Sequence, residues 1–251
     1  MKKLLLFICL SMCFWGCKKE NQLKVSTKTY RLNSEFNCVQ NNCTYAYIEV
    51  PFFEGKKKTV KPINDSIFNF IEQTIRFKGD KKVKSYDTLA LNFINHYNEV
   101  YLTYPENALA WEANFKVSNN SMSSKLHQVV YEYYLFIGGA HGTQATKVFI
   151  FDTTTGQILP KNELFVNFKG FKNYAETEFR KQLNVSGSLK DSGFNFENNQ
   201  FQLPKNFYQT NTEWILHYNP NEIATFGQGA IQIKLSNNDV ERFLNPIYFK
   251  N

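Results

Sequence analysis

Gln128-Val129-Val130-Tyr131-Glu132-Tyr133-Tyr134-Leu135-Phe136-Ile137 is the stretch that decides the fold. It has no Gly or Pro, and β-branched and aromatic side chains dominate it, so it reads as a strand rather than a helix. On a strand Tyr131 and Tyr133 share one face and Tyr134 takes the other; at least one is expected in the core, leaving the rest able to stack on a ligand. Trp111–Val117, Lys147–Asp152 and Gln157–Leu159 read as neighbouring strands, and Thr153–Gly156 is a hairpin turn with glycine where positive φ is needed. Together they form a meander.

Upstream, Tyr45–Phe53 alternates as a strand with Pro51 expected at its end. A helix is then expected from Asn64 as cap, with Asp65 in the first turn, Ile63 stapled to Phe68, Ile67, Ile71 and Ile75 on one face, and Gly79 as the stop. A second helix over Ser85–Val100 aligns Ala90, Ile94, Tyr97 and Tyr101. Downstream, Tyr174–Leu183 is helical, with a Glu176–Arg180 pair facing outward. Glu213–Tyr218 and Ala230–Leu235 are strands, and Ser236 with Asp239 has the spacing of a capping box opening a last short helix. Strands and helices intermix without regular βαβ alternation. The fold expected is α+β, a mainly antiparallel sheet with helices packed on it, in two intimately joined subdomains, 24–140 and 141–251.

The 251 residues are 43% hydrophobic and 20% charged, which excludes global disorder, and 24 Phe with 14 Tyr against 12 Gly and 7 Pro excludes collagen-like or low-complexity chains. Met1-Lys2-Lys3 precedes an apolar run from Leu4 to Trp15, then Gly16-Cys17 and the polar Lys18–Gln22. That run is too short to span a bilayer and reads as a secretory leader. Gly16 before Cys17 suits a lipoprotein peptidase, so residues 1–16 are expected as signal peptide, Cys17 as the acylated residue holding the chain to a lipid bilayer, and 17–23 as tether. Loss of Lys2 and Lys3 lowers the formal charge from +7 to +5. Export makes nucleic acid an unexpected partner, and the runs Lys56–Lys58 and Lys81, Lys82, Lys84 read as solvated loops. Cys38 and Cys43, flanking an Asn-rich turn in an oxidising compartment, are expected to form a disulfide.

The β-rich segment ends in Gly138-Gly139-Ala140-His141-Gly142, and further on come Asn162-Glu163-Leu164-Phe165 and Tyr218-x-Pro220-x-x-Ile223-Ala224 with Gly229 before a strand. Over roughly Tyr45–Leu244 this pattern resembles the paired extracellular domains of RsiV-type anti-sigma factors and PdaC-type peptidoglycan deacetylases. The resemblance implies an α+β ectodomain at the cell envelope and, from the anti-sigma members, lysozyme binding. Three departures limit it. No membrane-spanning or cytoplasmic segment accompanies the ectodomain here. No deacetylase metal pair occurs, since His96, His127, His141 and His217 are never four apart. Lysozymes are commonly basic, so a +5 chain would repel one at long range, which makes a lysozyme-like partner the lesser expectation.

The glycines of the pentapeptide permit unusual backbone angles and close approach, placing His141 at a bend. His141 is read as tying the turn to a neighbouring loop, ahead of a ligand contact and, last, of acid–base or metal chemistry. Tyr133, Tyr134, Gly138, Gly139 and His141 are the candidate ligand-binding residues; no catalytic residue, metal site or cofactor is expected. The favoured function is a non-catalytic binding module for a cell-wall glycan or envelope protein. The alternatives are a carbohydrate-active hydrolase drawing paired carboxylates from Asp152, Glu163, Glu176, Glu178 and Glu213, or a structural subunit of an envelope assembly.

Overall fold

A computed structural model describes residues 23–36, 38, 43–106 and 108–250. The expected leader, Cys17 and the tether up to residue 22 lie outside these residues. The fold is α+β. Its larger sheet has the strand order β1 (Lys24–Asn33), β2 (Tyr45–Glu54), β3 (Glu112–Ser121), β4 (Leu126–Phe136) and β5 (Thr143–Asp152). Neighbours are antiparallel except β2 and β3, which run parallel. A parallel pair requires a long crossover, here provided by helices α1 (Lys57–Ile75) and α2 (Tyr86–Thr103).

Both helices lie on one face of this sheet. Val60, Ile63, Ile67, Ile71 and Ile75 line one side of α1, and Leu89, Ala90, Phe93, Ile94 and Tyr97 one side of α2. They meet Ala46, Ile48 and Val50 of β2, Ala113 and Phe115 of β3, and Tyr131 of β4. Each large apolar side chain withdrawn from water here contributes about 1.5–3 kcal/mol.

The second part contains α3 (Phe168–Gln182), a three-stranded antiparallel sheet of β6 (Asn206–Gln209), β7 (Glu213–Tyr218) and β8 (Ile231–Ser236), and the short helices α4 (Asn237–Glu241) and α5 (Pro246–Phe249). Trp214, Leu216, Ile233 and Leu235 pack with Phe171, Ala175 and Phe179 of α3 in a second core. Strands β4 and β5 serve both cores. Val129, Tyr131 and Phe151 turn toward α1 and α2, whereas Leu126, Val130, Val148 and Ile150 turn toward the second part. The larger sheet therefore continues across the division at residue 140. The exposed edge of β5 is closed by two asparagines: Asn219 exchanges hydrogen bonds with the Thr146 backbone (2.7 and 3.0 Å), and Asn206 Oδ1 accepts from Val148 N–H (3.1 Å).

Several elements differ from the sequence reading, each for a local reason. α1 starts seven residues before Asn64, because burying Val60 and Ile63 draws the preceding turn into the helix; Pro62, its sixth residue, lies inside it and offers no N–H to the Lys58 carbonyl one turn back. Asn64 does not cap. Its amide bridges both backbone polar groups of Phe53, at 3.0 and 2.9 Å. The helix ends at Ile75, ahead of Gly79. Pro51 lies inside β2, where pairing with β3 has already stopped at Glu49, so its absent N–H removes no bond to that neighbour. Gln157–Leu159 contributes only an isolated bridge, Phe151 to Ile158. Ser236 makes no side-chain cap, and Asp239 instead accepts from the Tyr174 hydroxyl at 3.2 Å. Strands β1 and β6 had no clear alternation to reveal them; every residue of Lys24–Thr29 is exposed.

Candidate functional site: a cleft between the two sheets

The face of the larger sheet turned away from α1 and α2 carries polar residues in register. One rung runs Arg31–Tyr47–Asn114–Tyr134–Gln144 across all five strands, and the next runs Thr29–Glu49–Lys116–Glu132–Thr146. The second part covers the far end of this face. Where the cover stops, a cleft of about 450 Å³ remains, with Asn114, Lys116, Glu132 and Tyr134 on one side and His217 and Gln232 on the other. His217 and Gln232 are directly paired across β7 and β8, on the face of the small sheet opposite its core.

The glycine-rich bend shapes one wall. Gly138 and Gly139, with φ of 90° and 99°, end β4 in conformations a side chain resists. Gly142 is required by contact rather than by angle: a Cβ there would lie 2.4 Å from the ring of Tyr134, so the phenol lies directly against the bend. His141 is exposed and stacks on Phe226 (centroids 5.0 Å apart, planes at 25°), tying the bend to the second part at the rim beside the cleft.

Across the cleft, Gln232 Nε2 donates to His217 Nδ1 at 3.0 Å, leaving the neutral ring's proton on Nε2. Burial lowers the His217 pKa, opposed by a hydrogen bond to Asn219 and by the charges of Glu222 and Glu132. The imidazole is thereby held as a neutral donor. Lys116 and Glu132, although cross-strand partners, make no ion pair or side-chain hydrogen bond with described residues, so both are free to meet a ligand. The cleft thus offers amide donors and acceptors, one cation, one carboxylate and a phenol ring, a set suited to hydroxyl- and amide-bearing ligands.

The candidates from sequence are distributed as follows. Tyr134 forms the wall. Tyr133 contributes to the cleft lining, but its ring turns to the helix side, stacked on Phe115 (5.0 Å, 4°). Tyr131 is fully buried. Gly138, Gly139 and His141 stand outside the lining, supporting it from the rim. Cys38 and Cys43 are disulfide-bonded, with Cα atoms 4.3 Å apart, in the β1–β2 connection. Sequence reasoning does not reach His217, Gln232, Asn114, Lys116 and Glu132 as ligand-binding residues; polar alternation is the available signal for Asn114 and Lys116 on β3 and Gln232 on β8, while Glu132 on β4 and His217 on β7 carry no such signal.

The other histidines are engaged elsewhere. His96 sits between Asp80 (3.0 Å) and Glu99 (3.8 Å), and His127 pairs with Asn119 Oδ1 at 2.8 Å. Of the carboxylates considered for hydrolysis, Glu176 is ion-paired with Arg180 (2.8 Å), Glu213 with Lys234 (3.5 Å), and Asp152 accepts from the backbone of Thr154 and Thr155 in the hairpin turn. Among the described residues, no three His, Cys, Asp or Glu are grouped to hold a metal ion, and no helix is long and apolar enough to cross a membrane.

Residues 162–238 match the family of proteins of unknown function DUF3298. The DUF3298 match takes in α3 and the small sheet, and so includes His217 and Gln232, while the rungs of the larger sheet lie before it. Two solved DUF3298 proteins have the same overall fold. One, from Bacteroides fragilis, is 15% identical, with a TM-score of 0.65 over 91% of this chain and 96% of its own. The other, from Pseudomonas aeruginosa, is 16% identical, with a TM-score of 0.61 over 92% and 99%. No curated protein matches the sequence.

Proposed function

We propose that this chain is a lipid-anchored protein of the bacterial cell envelope that binds a cell-wall glycan, without acting on it, in the cleft between its sheets. The observation that carries the proposal is the pairing of the Tyr134 ring, pressed onto Gly142, with the unpaired Lys116 and Glu132 and the His217–Gln232 pair opposite. A sugar presents an apolar face that suits an aromatic ring, and a rim of hydroxyl and acetamido groups that suits amides and a neutral imidazole. Among the described lining residues Glu132 is the one carboxylate, whereas glycoside hydrolysis ordinarily uses two. Export and anchoring rest on the leader and Cys17.

The test is calorimetric titration of the full chain in detergent with soluble glycan and muropeptide fragments. Saturable heat is expected, lost in Tyr134→Ala with the circular dichroism spectrum unchanged. No heat with any fragment would overturn the reading, and release of new reducing ends during incubation would overturn its non-catalytic part.

A further inference from the structure

Resting on the glycan reading, we infer that the ligand is an extended polymer lying across the strands, from the cleft over β3 to β2, rather than a single sugar unit held in the cleft. The polar face does not stop at the cleft mouth. Tyr47 occupies the same rung as Tyr134, two strands away, with Asn114 between them. Adjacent strands are about 4.8 Å apart, so the backbone positions carrying the two phenols are about 10 Å apart across the sheet, close to the length of a disaccharide repeat. A chain crossing the strands would set alternate sugars on Tyr134 and Tyr47 and the intervening one over the Asn114 amide.

Two further features favour a sugar polymer. The Tyr47 hydroxyl donates to Glu49 Oε2 at 2.7 Å, which holds its half-exposed ring in place before any ligand arrives. The charges on this part of the face alternate, Arg31 and Lys116 with Glu49, Glu112 and Glu132, and so give no uniform field for a polyanion. The platform is also continuous with the cleft through Asn114 and Lys116, which belong to both.

The experiment measures affinity of the full chain for N-acetylglucosamine oligomers, as a dimer, a tetramer and a hexamer, and for a sugar-free stem peptide. Affinity is expected to rise about tenfold from dimer to tetramer. Tyr47→Ala should abolish that gain and leave dimer binding unchanged, whereas Tyr134→Ala should weaken every length. Equal affinity at all lengths, or equal loss for dimer and hexamer in Tyr47→Ala, overturns the platform while leaving the cleft reading standing. Silence of every oligomer overturns both, and stem-peptide binding that depends on Tyr47 would replace the sugar polymer with a peptide.

Discussion

Gln128 binds Gln209 as a neighbouring strand would. Its side-chain Nε2 donates to the Gln209 carbonyl at 2.6 Å and its Oε1 accepts from the Gln209 N–H at 2.9 Å. Gln128 is buried on the face of β4 that meets the second part, so a side-chain amide continues the sheet's hydrogen bonding where β6 comes edge-on. The two parts are held together by this bridge as well as by apolar burial.

Replacing Gln128 with Leu keeps the volume and removes both bonds, leaving the Gln209 N–H without this partner and its C=O with the longer bond from the Asn120 amide at 3.4 Å. The expected loss is about 2–4 kcal/mol in urea unfolding, since unmet polar groups add to the bonds lost. A loss under about 0.5 kcal/mol would show that water replaces the amide freely. Gln128→Glu should fare worse, because it removes the donor and brings a charge into a buried position.

The first core was legible in the sequence because its signals were periodic. Ile67, Ile71 and Ile75 and the alternation Ala46, Ile48, Val50 need no partner to be recognised. The cleft was only half legible. Tyr134 and the bend belong to a conspicuous run, but His217 and Glu132 acquire their meaning from the packing of two separate sheets, which brings positions 85 residues apart in sequence to one cleft. Gln128 could not have been read at all, since a glutamine within a strand looks solvent-facing until another backbone is placed against it. Strand β1 stayed hidden for a related reason: as an exposed edge it has little apolar pattern, and its lysines suit an edge strand.

Gly142 separates cleft shape from stability. In Gly142→Ala the new methyl group would overlap the Tyr134 ring, which is half-exposed and can swing outward. Stability should fall by less than about 1.5 kcal/mol, within the range of ordinary substitutions, while glycan binding falls as far as in Tyr134→Ala. Gly139→Ala makes the contrast: nothing lies within 4 Å of its Cβ, but φ is 99°. It should lose about 1–2 kcal/mol from backbone strain and retain the cleft. If both variants bind normally, Tyr134 is not the wall that holds the ligand.

Gly156 is a more severe case because strain and collision coincide. Its φ is 75°, and a Cβ would approach the Thr59 carbonyl oxygen to 2.0 Å, a backbone atom of α1 that cannot move aside cheaply. The Thr59 hydroxyl also donates to the Thr154 carbonyl at 3.1 Å, so the hairpin turn after β5 is docked on the helix start. Gly156→Ala is expected to lose more than about 3 kcal/mol, beyond the usual range for one substitution. Gly187→Ala, with φ of 78° and open space around it, should lose only about 1–2 kcal/mol. Similar thermal unfolding shifts for the two would show that the hairpin is not held against α1.

Burial of His127 makes folding stability depend on pH. Burial pushes its pKa down from 6.5 to about 4, with Phe53 edge-on to the ring at 5.0 Å and Asn119 as its hydrogen-bond partner. Between those two values the unfolded chain holds a proton that the folded chain rejects. Folding stability is therefore full above about pH 6.5 and declines as pH falls toward 4, by up to about 3 kcal/mol. The lowered pKa of His217 acts in the same direction. His127→Gln retains a donor for Asn119 and cannot titrate, so its stability should decline less steeply over this window. Urea titrations of both proteins at pH 7, 5.5 and 4.5 measure the difference directly; parallel declines would mean that carboxylates and His217, rather than His127, carry the dependence.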